Sequence, residues 1–383
     1  MNKLIGENLE EETIKSILAS LEIRVNNVTE TGMGLTIPSY RVDVQREADV
    51  IEEILRVYGY NNIKFGEKLN ASVANSSKYE DYKLQNIIAN QLVGQGFYET
   101  MANSLTTPTY SELSEQIKES QNVKMLNPLS QDLSVLRQSM LYSGLESVSY
   151  NINRKRSDLK LFEFGKTYHD FNGSRVENKH LSIFISGNRN AERWNSVSAR
   201  TDFFLLKGVI QSIFQRFGIE NLKPSAVKSD VFSEGLIFSS AKNNLVSFGV
   251  IRKKVLKHFD IEQEVLYADI NWDALLDVVK SRKTNFSAIP KYPAVRRDFA
   301  LLLNNNISYD QIEEIALKTE KKLLKEIDLF DVYQGKNLPE GKKSYAVSFK
   351  FQDEHKTLTD KQVDKMMKKL QQRFEEELQA ELR

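Results

Sequence analysis

The sequence predicts a multidomain α+β protein, and three observations carry that reading. Its 383 residues exceed what a single hydrophobic core usually serves, so two or three domains are expected. Residues 287–383 read as strand, helix, strand, strand, helix and a last short strand, the order of a ferredoxin-like split motif. Residues 76–277 set several strand-like runs between helices, which suits a domain built around a largely antiparallel sheet. Residues 1–69 then form a small α/β domain of their own. It is acidic, with eight Lys or Arg against twelve Asp or Glu.

The elements follow from local pattern. Residues 10–21 place Ile14, Ile17, Leu18 and Leu21 on one helical face, and strand-like runs follow at 23–28 and 35–37. The polar run NASVANSSK, 70–78, has the composition of a linker. An amphipathic helix over 83–94 opens the middle region. Strands are expected at 99–105, 159–168, 180–187, 245–251 and 265–271, with helices at 139–151 and 202–217. In the last region strands are expected at 297–303, 323–333 and 344–351. Helices over 308–319, capped by Ser308, and 359–376, capped by Thr359 or its neighbour, alternate with them, and 378–382 adds a short strand. Gly32 and Gly34, separated only by Met33, make a turn rather than a phosphate loop.

Composition excludes several classes. The net charge is +1, so a uniformly basic nucleic-acid coat is ruled out and any RNA contact must be local. With no cysteine there is no disulfide framework, thiolate nucleophile or thiolate zinc site. The polar, acidic start does not read as a signal peptide and no apolar run approaches a membrane span, so a soluble cytoplasmic protein is expected. His169, His180, His258 and His355 show no metal spacing and read as surface or packing residues.

The most informative run is PSYRVDVQREADVIEEILRVYGYNNI, residues 38–63. On a helix Asp49, Glu52 and Glu53 fall within about 100° of one another, and Val50, Ile51, Ile54, Leu55 and Tyr58 point the other way. Asp43 lies one short loop upstream and can fold back onto this stripe. Four carboxylates so close invite a cation. The same residues also suit a helix dipole, with Arg56 pairing to Glu52 one turn back.

This run resembles the B5 domain of the bacterial phenylalanyl-tRNA synthetase β subunit family. The resemblance implies that Asp43, Asp49, Glu52 and Glu53 bind magnesium at the contact with the α subunit. Residues 127–168, NPLSQDLSVLRQSMLYSGLESVSYNINRKRSDLKLFEFGKTY, are similar to the catalytic-like core of the same family, which has the class II synthetase fold. Adenylate formation develops charge on phosphate, and fixed arginines must meet it. Here LFEFG, 161–165, lacks an Arg two residues before its Glu. SFGVIR, 247–252, lacks a Gly-rich pattern, and Arg252 with Lys253 and Lys254 reads as a solvated basic turn. The middle domain is therefore expected to be a degenerate, non-catalytic core. Arg137 suits a structural salt bridge or cap contact, with a substrate contact as the sharper alternative. Arg154, Lys155 and Arg156 are either a solvated loop or a phosphate contact.

KYPAVRRDFA, 291–300, with FDVY, 330–333, and the terminal ELR resembles the ferredoxin-fold anticodon-binding domain that ends these subunits. A four-stranded open sheet presents aromatic and basic side chains to unstacked bases. Tyr292, Arg296, Asp298 and Tyr333 are the candidates, while Phe349 is expected in the core. Eighteen basic and seventeen acidic residues nearly cancel here, so placed contacts must do the binding. Lys361, Lys365, Lys368 and Lys369 read as the solvated side of one helix.

Together the resemblances imply a β-subunit portion of phenylalanine–tRNA ligase. They imply an α subunit that uses ATP, tRNA(Phe) as ligand, and a heterotetramer of two α and two β subunits. The chain alone is expected to be inactive. Domains for tRNA binding and editing that precede this stretch in the family have no counterpart here, so Met1 is expected to open an excised portion and editing to be absent. The competing readings are a free-standing RNA-binding or scaffold protein without an α partner, and an independent ATP-using enzyme.

Overall fold

The computed structural model describes residues 1–29, 32–64, 80–195, 197–219, 222–240, 243–282, 286, 288–335 and 337–383. The expected linker at 70–78 lies outside them. The chain divides into two units, Met1–Asn86 and Ile87–Arg383.

The first unit holds α1 (Asn2–Ile5), α2 (Glu11–Ser20), β1 (Arg24–Thr29), β2 (Gly32–Thr36) and α3 (Glu47–Tyr58). Helical spacing buries Ile14, Ile17 and Leu18 of α2, and Ile54 of α3 joins them in one core with Leu9 and Ile23. β1 and β2 form an antiparallel hairpin whose Val25, Met33 and Leu35 pack against that core. The carboxylate of Asp49 accepts the amides of Gln45 (3.0 Å) and Arg46 (2.8 Å), which fixes where α3 begins.

Helix α4 (Asp81–Gly94) runs into the second unit. There the expected strand over 99–105 is two pieces, β3 (Tyr98–Glu99) and β4 (Leu105–Thr106). Residues between them leave the sheet: the Thr100 amide still donates to Phe162 O, but Ser104 O accepts from the Arg137 amide. β4 pairs instead with β5 (Val135–Leu136), just ahead of α5 (Leu141–Ile152). Strands β6 (Leu159–Phe171) and β7 (Ser174–Ser186) form a long hairpin closed by Asn172 and Gly173, both at positive φ (55° and 93°) as a two-residue turn requires. After α6 (Phe203–Arg216) come β8 (Lys223–Ala226), β9 (Phe232–Ser240) and β10 (Asn243–Ile251). Next are α7 (Lys253–His258), β11 (Val265–Asn271) and α8 (Trp272–Ser281). The sheet order is β3-β6-β7-β11-β10-β9-β8, antiparallel except for β3 beside β6. The expected basic turn at 252–254 is the start of α7, because Val255 and Leu256 are apolar enough to bury.

Alternation sets the two faces of this sheet. Leu159 and Leu161 of β6, Phe184 of β7 and Tyr267 of β11 form a core with Leu145 and Val148 of α5. Phe164 points the other way and meets Trp272 edge to face at 4.9 Å. A glycine is required where α5 touches β7, since a Cβ on Gly144 would sit 2.0 Å from the Phe184 ring.

The last strands form a second sheet, β12 (Val295–Asn304), β13 (Leu324–Tyr333), β14 (Lys342–Phe351) and β15 (Glu381–Leu382), ordered β13-β14-β12-β15. With α9 (Tyr309–Thr319) and α10 (Asp360–Leu378) this is the expected ferredoxin-like fold. Both helices carry capping boxes, Ser308 with Gln311 and Thr359 with Gln362. Their apolar stripes, with Ile312 and Ala316 on one and Val363, Leu370 and Phe374 on the other, close one sheet face over Leu301, Leu303, Val347, Phe349 and Phe351. Phe349 is thus core, and among the described residues neither α9 nor α10 covers the other sheet face. Among the described residues no helix is long and apolar enough to cross a membrane.

Gly144→Ala is expected to destabilise the second unit by about 1–3 kcal/mol through overpacking against Phe184. Urea unfolding followed by tryptophan fluorescence measures this, and an unchanged midpoint contradicts the packing described.

Candidate functional site

The acidic stripe of the first unit is built by α3 and the loop before it. Arg41 Nη2 lies 3.0 Å from both Asp43 Oδ2 and Glu53 Oε2, so Asp43 does fold back toward the helix, through a guanidinium. Arg56 pairs with Glu53 at 2.7 Å rather than with Glu52, because Glu53 is the carboxylate already turned toward Arg41. Arg46 lies 3.2 Å from Asp49, and Glu52 is exposed. These contacts hold three carboxylates below their usual range: Asp43 by its bond from Arg41, Asp49 by the two backbone amides and then Arg46, Glu53 by Arg56 and then Arg41. Among the described residues no three histidine or acidic side chains gather as an ion would need. As placed, the four carboxylates do not fit a magnesium ion by themselves: guanidinium groups occupy lone pairs of Asp43, Asp49 and Glu53, and Glu52 stands exposed.

In the middle domain the sheet face under α5 is filled by the chain itself. Arg137 Nη1 donates to Glu163 Oε1 at 2.9 Å and to Ser143 Oγ at 3.3 Å, and its Nε donates to Lys166 O at 3.0 Å. Both partners are nearly excluded from solvent, with side-chain exposures of 5% and 3%. Burial pushes Glu163 up, against the pull of Arg137. Gly165 lets this pair close, because a Cβ there would meet Arg137 Nη2 at 2.3 Å. The cavity beside Arg137, lined also by Asn122, Gln138 and Tyr142, holds about 10 Å³. That is about one water, where ligand pockets run to roughly 300–1,000 Å³.

Farther along the same face, His180 lies between Asp269 (Nδ1, 2.8 Å) and Thr167 (Nε2, 3.0 Å), an array the spacing of histidines in the sequence did not signal. Register places them: Thr167 on β6 and Asp269 on β11 flank His180 on β7. Burial pulls the imidazole down, but Asp269 and, more distantly, Asp273 outweigh it, and His180 stays protonated above its ordinary 6.5.

The helix-free face of the last sheet gathers three of the four expected RNA-binding residues. Arg296 and Asp298 of β12 face Lys350 and Ser348 of β14, and Tyr333 of β13 faces Ser344. Arg296 Nε bonds Asp298 Oδ1 at 2.9 Å while its guanidinium lies 5.0 Å from the Phe330 ring. Lys350 pairs with Glu326 at 2.9 Å, and Arg383 lies 5.9 Å from the Tyr333 ring. Ser344, Ala346 and Ser348 make a floor of small residues between these longer side chains. Tyr292 stands apart, in the segment before β12, where its carbonyl accepts from Gln352 at 2.7 Å. Phe330, Lys350 and Arg383 were not singled out from the sequence. Alternation counted back from core Phe349 would have found the small-residue floor.

Three family models match the chain in succession: the tRNA synthetase B5 domain over residues 1–60, the phenylalanyl tRNA synthetase beta chain CLM domain over 67–272, and the ferredoxin-fold anticodon binding domain over 290–383. Similar proteins include the phenylalanine–tRNA ligase beta subunits of Bacteroides thetaiotaomicron, 46% identical, Bacteroides fragilis, 45%, and Porphyromonas gingivalis, 40%. Each match covers 100% of this chain and 48% of the relative, so the chain spans about half the length of the curated relatives it matches.

His180→Gln is expected to cost about 1.5–3 kcal/mol at low pH, the worth of a hydrogen bond to a charged group. Because the folded pKa is raised, the contribution is fully present below about 6.5 and is lost as pH rises through the folded value. Urea unfolding at pH 6 and pH 9 measures it; an equal difference between wild type and variant at both contradicts the charged pair.

Proposed function

The chain belongs to the phenylalanyl-tRNA synthetase β chain family, and from that membership we propose that it braces a catalytic partner subunit and binds tRNA(Phe) while doing no chemistry itself. The observation that carries the reading is the filled middle sheet. Under α5 the sheet carries a buried Arg137–Glu163 pair with only a water-sized cavity beside it, which supports a binding rather than a catalytic role. ATP is then used at the partner α subunit, which activates phenylalanine and charges the tRNA. Two α and two β subunits make the assembly in this reading.

The last sheet supplies the RNA contact. Its helix-free face offers Phe330 and Tyr333 for stacking and Arg296 and Lys350 for phosphate, over a floor of small residues that lets a base approach the backbone. Tyr292 and Asp298 complete the proposed set, Asp298 by orienting Arg296. The stripe of Asp43, Asp49, Glu52 and Glu53 is the proposed partner contact. Magnesium belongs to it only where the partner subunit contributes ligands, since Asp43, Asp49 and Glu53 are already held by arginines.

Co-sedimentation with the cognate α subunit, with magnesium and then with a chelator, tests the partner reading. Filter binding of tRNA(Phe) tests the other. Asp43→Ala or Glu52→Ala is expected to weaken α-subunit binding about tenfold and tRNA binding less than twofold. Arg296→Ala with Tyr333→Ala is expected to do the reverse. Equal losses in both assays, or none in either, overturn the division of labour.

A further inference from the structure

The structure brings together two basic segments that lie more than thirty residues apart in the sequence. One is the turn after α5, which carries Arg154, Lys155 and Arg156. Backbone bonds order it: the Lys155 amide donates to Ile152 O at 2.8 Å, the Arg156 amide to Asn151 O at 3.1 Å, and Lys155 takes a left-handed φ of 63°. The other is the excursion between β7 and α6, with Arg189, Arg193 and Arg200 around Trp194. Its base is zipped by Arg189 N to Ala199 O (2.8 Å) and Thr201 N to Gly187 O (3.0 Å).

The two segments are pinned to each other. The Asn188 amide donates to Asp158 Oδ1 at 2.7 Å. Gly187 lies so close to the turn that a Cβ would be 2.4 Å from Ser157 O, and its φ of 82° favours glycine. Gln263 ties the same turn to the sheet through Ser157 O at 2.7 Å.

All six cations are exposed, and among the described residues none forms an ion pair. The contrast with Arg41, Arg46 and Arg56, each held by a carboxylate, is direct. Asp158 spends an oxygen on a backbone amide, and Glu192, Glu262 and Glu264 reduce the local excess without cancelling it. Two aromatic rings share the surface. Trp194 is 98% exposed and Tyr150 is 58% exposed, with the Arg154 guanidinium 3.3 Å from its ring centroid. Arg154 also donates to Tyr150 O at 3.0 Å, so Trp194 is the open aromatic face, and cations without carboxylate partners beside such a face are the combination that holds an RNA backbone and stacks an unpaired base.

We propose that this corner of the middle domain is a second tRNA contact, made by phosphates on Arg154, Lys155, Arg156, Arg189, Arg193 and Arg200 and by a base on Trp194. It rests on the tRNA-binding reading above and adds to it a surface on other elements than the last sheet. It is a salt-sensitive grip without sequence readout, complementary to the placed contacts around Arg296.

Filter binding of a tRNA(Phe) transcript to the 383-residue chain between 50 and 200 mM KCl tests it. Arg189→Gln, Arg193→Gln and Arg200→Gln together should weaken binding about tenfold near 100 mM and lower the salt slope by about one to two. Trp194→Ala should weaken binding about fivefold or more with the slope kept. These side chains are exposed, and unchanged thermal melting verifies that the variants fold. Wild-type affinity and slope in all of them, while Arg296→Ala with Tyr333→Ala loses binding, overturns this inference and leaves the tRNA reading standing. No binding by the wild type at any salt removes both. Variants that keep tRNA but lose the α subunit reassign the corner to a protein interface and likewise overturn it.

Discussion

Arg137 reaches Glu163, Ser143 and the carbonyl of Lys166 from beneath α5, and the middle domain is organised around that reach. A buried pair of this kind is not chiefly a source of net stability. Its desolvation offsets much of its attraction, yet removing one partner alone would cost about 3–5 kcal/mol. What it does is fix arrangement. It locks the start of α5 to β6 and needs Gly165 to admit the guanidinium.

The chain's other charges are distributed according to the same logic of paired and unpaired groups. In the first unit the arginines near α3 are each committed to a carboxylate, so the acidic stripe is partly neutralised before any partner arrives. In the last domain Arg296 and Lys350 are tethered to Asp298 and Glu326, which orients them on an otherwise near-neutral face. At the corner formed by the turn after α5 and the excursion after β7, the cations are left without carboxylates among the described residues. Pairing thus orients the charges of the first unit and of the last sheet, and leaves those of the corner without carboxylate partners among the described residues.

Much of this was legible in the sequence, and the limits have physical causes. The last domain read clearly because its strands alternate, its helices carry full apolar stripes, and Ser308 and Thr359 announce their caps. The acidic run read clearly as composition, but not as geometry: spacing puts Glu52 and Arg56 one turn apart, while Arg41, from the loop, draws Glu53 into the pairing instead. The run at 99–105 looks like one strand because apolar content does not reveal that Ser104 O is claimed by Arg137. The convergence of Thr167, His180 and Asp269, and of the two basic segments, depends on register and on Gly187, which no local pattern encodes.

The central claim, that the middle sheet is closed to substrate and that this chain binds rather than catalyses, is tested most directly by titrating ATP into the chain in a calorimeter with magnesium present. The account predicts no saturable heat at ATP concentrations up to about 1 mM, the upper end of ordinary enzyme KM values. Saturable binding that disappears when Arg137→Met and Glu163→Leu are introduced together would contradict it, because the pair would then be holding a nucleotide rather than filling its place.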